Sequence, residues 1–278
     1  EYGGEMLYIN KSKHHPMWAM EYCRDEGLRK YWDEYSYPYH KNGEGNNSFR
    51  SAATNKIQKK VDARAYNHNQ DSFTIENIIR WFDYWRERPG TGDRVSSGGV
   101  KIIFSDTNTH FRGVENYRRS GVTDAMRIPK DPFFAHQVMW DGWVDIENPR
   151  IHIIGHWNYK EGIVKPVYVV SSAEKVELFL NGTSLGYGNR DHHFLYTFEN
   201  VAFAAGKLEA VGYDENGTEC CRTHLQTAGE PEQIKLSLIQ SPNGWKADGA
   251  DMVLLQVEVM DKDGRRCPSV SYTHLRAH

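Results

Sequence analysis

Pro16-Met17-Trp18-Ala19-Met20-Glu21-Tyr22 is an apolar run that closes on a carboxylate, and Leu28, Tyr31, Trp32 and Tyr35 follow it at i, i+3, i+4 and i+7. The run has the length and character of a buried strand, and the later spacing puts one apolar stripe on a helix. The same alternation recurs along the first half. Met6–Ile9 is a short strand candidate. Asp71-Ser72 offers an N-cap pair ahead of a second helix with its stripe at Ile75, Ile78, Ile79 and Phe82, ending near Pro89-Gly90. Gly98–Phe104 reads as a further buried strand, and a last helix is expected from Pro132 to about Trp140. Buried strands alternating with helices predict parallel βα units. The polar stretch from about His40 to Gln70 breaks this pattern, and loops of that length tend to be functional.

From about Pro166 the period changes to two. Val176, Leu178 and Leu180 alternate with Glu177 and Phe179, and Asn181-Gly182 supplies the residue pair that a tight hairpin favours. Strands are expected at Phe194–Phe198, Leu208–Tyr213 and Glu219–Gln226, with a turn at Asn216-Gly217, which together predict a small antiparallel sandwich. Gly229-Glu230-Pro231 reads as a linker. Ile234–Ile239 and Met252–Met260 then open a further β-domain. The fold class expected is therefore α/β followed by all-β. The domains are residues 1–160, 161–229 for the sandwich, 230–268 for the start of the next β-domain, and 269–278 as a tail outside the β-pattern. That tail is read as a non-native addition, and the true N-terminus is expected to lie upstream of Glu1.

Composition narrows the function classes. A net charge of -3 over 278 residues argues against a nucleic-acid surface, which needs a basic face. No apolar run has the length of a membrane span. Cys23, Cys220, Cys221 and Cys267 show neither metal-ligand spacing nor a disulfide framework, and no cofactor is implied. Aromatic residues reach 13%, which fits either packing or the stacking of flat rings on the C–H faces of sugars. Glu21, at the C-terminal end of its strand, is the chemical focus, because the loops of a parallel α/β barrel open at that edge. The plainer readings of Glu21 are a helix cap or a surface ion pair with Arg24 or Arg29.

Four stretches in this order resemble glycoside hydrolase family 2 of the β-galactosidase type found in Bacteroidetes. They are Trp18–Asp25 with Lys30-Tyr31-Trp32; the strand opened by Gly98-Gly99 and closing in Asp106; Gly121–Lys130, with Gly121, Asp124, Arg127, Pro129 and Lys130 at the family's spacing; and His156-Trp157-Asn158-Tyr159 with Val176–Gly186. The resemblance implies that residues 1–160 are the last strands and helices of an incomplete TIM barrel and that an immunoglobulin-like domain follows. It implies a retaining glycosidase with Glu21 as nucleophile, β-galactosides as the first substrate class ahead of β-glucuronides or β-mannosides, and a periplasmic or extracellular location.

Tyr22, Arg24, Asp106, Asn108 and His110 are the expected substrate-binding residues. The partner expected is a carbohydrate, with a homo-oligomer possible. Two departures stand out. Lactose-cleaving members commonly carry Ala-His after Glu-Tyr, where this chain has Cys23-Arg24, and Arg presents a planar donor fork suited to a carboxylate or to several hydroxyls, which leaves a decorated or acidic sugar open. The Asn-Glu pair that carries the family's acid/base is absent from the chain, so these residues alone are expected to be inactive. The competing reading is a noncatalytic carbohydrate-binding or adhesion module in which the β-domains do the work.

Overall fold

The structure, a computed structural model, describes residues 2–3, 16–22, 70–82, 95–101, 103–107 and 121–268. Its first part is a three-stranded parallel sheet in the order β1 (Tyr2–Gly3), β2 (Pro16–Tyr22), β3 (Val95–Lys101). Helix α1 (Gln70–Trp81) lies between β2 and β3 in the chain. Strand β3 begins and ends three residues before the expected Gly98–Phe104. The expected elements at Met6–Ile9 and Leu28–Tyr35 lie outside the described residues.

The expected helix at Pro132 is α2 (Asp131–Val144), with Pro132 in its first turn, where a missing N–H costs nothing. Beyond it, two four-stranded antiparallel sheets face each other. One has the order β4 (Ile151–Ile153), β5 (Val164–Ser171), β9 (Leu195–Ala202), β8 (Asn189–Asp191). The other has the order β11 (Glu219–Gln226), β10 (Lys207–Tyr213), β6 (Lys175–Leu180), β7 (Thr183–Tyr187). Because β4 pairs with β5, the sandwich starts upstream of the boundary expected at residue 161.

The alternation read from sequence is the pleat of this sandwich. Val176 and Leu178 of β6 and Leu208 and Ala210 of β10 meet Val167, Val169, Tyr196 and Phe198 from the facing sheet, all buried. Asn181 and Gly182 both adopt positive φ, 52° and 82°, between β6 and β7. A two-residue turn of that hand matches the twist of its strands, and Asn and Gly tolerate it best.

Strand β5 breaks strict alternation for a physical reason: it is covered on both faces. Val167 and Val169 point into the sandwich, while Val170 joins Ile78, Trp81, Ala135, Val138, Met139 and Phe194 in a second core between the sheet and the two helices. Trp81 is fully buried there and meets Trp140, Trp143 and Phe194 edge-to-face at 5.4, 5.8 and 5.7 Å. Such pairs contribute about 0.5–1.5 kcal/mol each beyond the area they bury. Many of the aromatics counted in the sequence are therefore packing residues.

A last antiparallel pair, β12 (Gln233–Ile239) and β13 (Leu254–Met260), stands apart after the linker at Gly229–Pro231. No helix among the described residues is long and apolar enough to cross a membrane.

Candidate functional site

Glu21 is the penultimate residue of β2, the middle strand of the parallel sheet, and its neighbour Tyr22 pairs with Lys101, the last residue of β3. The C-terminal ends of the two strands thus coincide. In parallel α/β architectures this edge is where ligands and catalytic groups collect, because the strand-to-helix loops leave it open. Arg24, Asn108 and His110 lie outside the described residues, as do the side chains of Glu21 and Tyr22.

Asp106 is described, and it is paired within the chain. It follows β3, and its carboxylate is buried against Lys130, with Oδ1 2.8 Å from Nζ and side-chain exposures of 2% and 0%. The same oxygen accepts the Gly121 N–H at 2.9 Å. Sequence reading expected Asp106 to meet sugar hydroxyls and did not show this pairing, because Lys130 is 24 residues away and no local spacing joins the two.

The segment Gly121–Lys130, which carried part of the family resemblance, is the other half of this lock. A Cβ on Gly121 would lie 2.3 Å from the Asp106 backbone nitrogen and 2.4 Å from the Thr123 carbonyl oxygen, so only glycine fits. Asp124 Oδ1 accepts the N–H groups of Met126 and Ile128 and holds a tight turn. Arg127 sits at the tip of that turn, exposed, with φ 63°. Ser105 Oγ donates to the Asp124 carbonyl at 2.8 Å, and the Thr123 N–H donates to Phe104. These bonds stitch the residues after β3 to the start of α2.

Two further buried carboxylates extend the lock into the sandwich. Asp71 pairs with Lys165 of β5 at 3.0 Å, both almost fully buried. Burial pushes the Asp71 carboxyl upward, Lys165 pulls it back, and the nearby Asp131 adds to the rise. Asp71 is thus inside the first turn of α1, where sequence reading expected a cap. A Cβ on Gly155, which adopts φ 91°, would come 2.8 Å from Asp71 Oδ1. Asp131, at the start of α2, accepts from His152 Nε2 and from the Gly155 N–H, each at 3.0 Å.

The His156–Tyr159 motif closes the far end. The neutral His156 ring, its pKa held well below the ordinary value by burial and by Lys165, accepts the Asn158 N–H through Nδ1. The Asn158 amide bonds both the N–H and the carbonyl of Ala228 at 3.1 Å. Trp157 Nε1 donates to the Ala204 carbonyl at 3.0 Å, and Thr227 Oγ1 to the Trp157 carbonyl at 2.7 Å. The motif therefore clamps the sandwich's entry to its exit. Among the described residues no group of three or more His, Cys, Asp or Glu side chains could hold a metal ion.

Comparison with known proteins agrees with this arrangement. Residues 162–221 match the model of a domain of unknown function, DUF4982. The chain is 35% identical over 255 residues to a β-glucuronidase of Formosa agariphila, covering 91% of this chain and 23% of that protein. It is 31% identical over 149 residues to the β-galactosidase BoGH2A of Bacteroides ovatus, covering 53% of this chain and 17% of that one. The solved structure of a β-glucuronidase from glycoside hydrolase family 2 superposes with a TM-score of 0.71 at 32% identity, over 95% of this chain and 25% of its own. The chain belongs to glycoside hydrolase family 2. It spans no more than a quarter of the length of these relatives.

Proposed function

We propose that this chain is part of a retaining β-glycosidase in which Glu21 is the nucleophile, residues 1–160 are the closing part of the catalytic barrel, and residues 230–268 begin a further β-domain. One observation carries the reading: Glu21-Tyr22 ends the middle strand of a parallel sheet, at the edge where such folds build their sites, in a family 2 chain. In the first step the Glu21 carboxylate attacks the anomeric carbon, while a second carboxylic acid, outside this chain, gives its proton to the leaving oxygen. In the second step that carboxylate takes a proton from water, which displaces Glu21 and releases the sugar. The 278-residue chain alone lacks the family's acid/base pair and is inactive on aryl glycosides.

β-Glucuronides become the first substrate class and β-galactosides the second. Support comes from Arg24, whose guanidinium suits a sugar carboxylate, and from the 35% identity to a β-glucuronidase against 31% over a shorter stretch to a β-galactosidase. The test is made in the full-length parent. A 2-fluoro-β-glucuronide should leave its glycosyl group on the peptide containing Glu21, read by mass spectrometry. Glu21→Gln should lower kcat on 4-nitrophenyl β-glucuronide by roughly three orders of magnitude or more. A parent that keeps its rate with Gln at this position would end the proposal.

A further inference from the structure

We propose that the outer edge of the sandwich carries a saccharide-binding subsite of its own, in a cleft between β6, β7 and β8. The cleft has a volume of about 390 Å³ and is walled by Glu174, Lys175, Tyr187, Gly188, Arg190 and Tyr196. All six fall within residues 162–221, the stretch matched by the domain of unknown function.

The aromatic wall faces solvent. Trp81, Trp157, Tyr196 and Phe194 are sunk in cores, but Tyr187 is 62% exposed. It is not loose: it leans on Tyr213 at 6.1 Å, and its strand is pinned because Tyr187 pairs with Glu177 across the sheet. Glu177 itself is committed, accepting from Ser184 through one oxygen and from the Tyr213 hydroxyl through the other. The Tyr187 hydroxyl and the Lys175 ammonium have no hydrogen-bond or ion-pair partner among the described residues. An exposed ring held at a fixed angle, with unspent polar groups beside it, gives one apolar face and a hydrogen-bonding rim.

The polar groups are preorganised. Arg190 donates from Nε to the His193 carbonyl at 2.7 Å, pairs with Glu174 Oε1 at 2.8 Å, and lies over the Tyr196 ring at 5.8 Å. Tyr196 is fixed in turn, its hydroxyl donating to the Ala173 carbonyl at 2.6 Å. The Glu174 side chain stays 53% exposed, so it presents acceptor capacity to a ligand while holding the guanidinium in place. A planar donor fork beside a carboxylate suits the adjacent hydroxyls of a sugar ring. Gly188 in the cleft wall packs closely on the core behind it, since a Cβ there would meet the Phe198 ring at 2.8 Å.

The charge balance argues against polyphosphates and nucleic acid. Arg190 is neutralised by Glu174, which leaves Lys175 as the one unpaired cation in the cleft. A pyranose, stacked by its C–H face on Tyr187 and held at its rim by Glu174, Arg190 and Lys175, fits what is offered. The choice of a sugar over other flat ligands rests on the proposed β-glycosidase reading. The cleft would then hold substrate chains near the parent enzyme without taking part in bond cleavage.

The test uses the 278-residue chain in native gels cast with a neutral β-galactan or with a polyuronate, which involves no turnover. Retardation is expected on at least one gel, with Tyr187→Ala weakening it at least tenfold. Lys175→Met should weaken retention on the polyuronate and leave the galactan arm nearly unchanged if a carboxylate is what the lysine meets. Both positions are exposed, so the variants should share the parent chain's unfolding midpoint. Migration unaffected by either polysaccharide, or retention that survives Tyr187→Ala, would overturn the subsite. Loss of Glu21 labelling in the full-length enzyme would instead sink the glycosidase reading and leave the gel result standing.

Discussion

The junction where α1 and α2 meet the sandwich and the hairpin of β12 and β13 treat burial in opposite ways. At the junction, buried carboxylates are paired: Asp106 with Lys130, Asp71 with Lys165, and Asp131 by a hydrogen bond with the His152 ring. At the hairpin, apolar groups are outside and bare. Ile234, Leu236 and Leu238 lie directly opposite Val259, Val257 and Leu255, which makes one continuous apolar face, and its members on β12 are at least 60% exposed. The contrast teaches where the described residues form a finished unit. Paired internal charge specifies one docking geometry between the parallel-sheet part and the sandwich. The apolar face of the hairpin has no packing partner among the described residues.

The largest effect should come from splitting a pair at the junction. Lys130→Met leaves the Asp106 carboxylate buried without its cation, and such a change costs about 3–5 kcal/mol. Chemical denaturation should show the loss. The double change Lys130→Met with Asp106→Leu should recover much of it, since paired apolar replacements of buried ions are often close to neutral. If Lys130→Met is silent, the ion pair is not what ties the residues after β3 to α2.

Much of the sandwich could be read directly from the residues, and the junction could not. The hairpin at Asn181-Gly182 and the strands at Val176–Leu180, Leu208–Tyr213 and Glu219–Gln226 declare themselves by period and by turn chemistry, both local signals. The positive φ at Gly217 and the Asp214 carboxylate that caps its turn are local in the same way. Asp71 and Lys165 are far apart in the chain and meet only after two elements have packed. Each therefore reads on its own as a helix cap or a surface charge. The pairing of Asp106 with Lys130 escaped sequence reading for the same reason. The position of Glu21 at a strand end was legible from the apolar run before it, whereas its chemical role came from resemblance, because a lone carboxylate at a strand end has several physical uses.

Acid should loosen the junction before it touches the hairpin. His136 donates from Nδ1 to the Pro132 carbonyl at 2.7 Å, and its Nε2 is buried with no partner among the described residues. Burial therefore lowers its pKa from 6.5 to about 4. His156 is displaced in the same direction by burial and by Lys165. A group with a depressed folded pKa keeps its ring neutral in the fold while the unfolded chain takes up a proton. Stability is then complete above pH 6.5 and is lost as pH falls from there toward 4, by ~2 kcal/mol for His136 alone between pH 7 and pH 5. Asp71, whose pKa is raised by burial, works with the opposite sign and offsets part of the loss. Unfolding followed at pH 7, 6 and 5 should show the decline, and His136→Gln should flatten it. A decline that the substitution leaves unchanged would move the cause to other groups.

The smallest effect on stability belongs to the hairpin. If the face of Ile234, Leu236 and Leu238 has no partner within these residues, replacing all three with Thr removes no packing. Thr also keeps the β-branched shape that strands favour. The unfolding midpoint of the sandwich should then stay within the equivalent of about 0.5 kcal/mol, the usual range for surface substitutions. The anchor at the base of the hairpin should survive as well. Asp261 accepts the N–H groups of Gly229, Asp263 and Arg265, and these bonds hold its carboxyl below the usual range with no help from the apolar face. What should change is association. An exposed apolar sheet face with open strand edges drives self-contact, so the triple Thr variant should sediment as a smaller species than the unaltered chain. A variant that instead lost several kcal/mol would mean that the face is covered from within, and the hairpin would belong with the junction rather than opposite it.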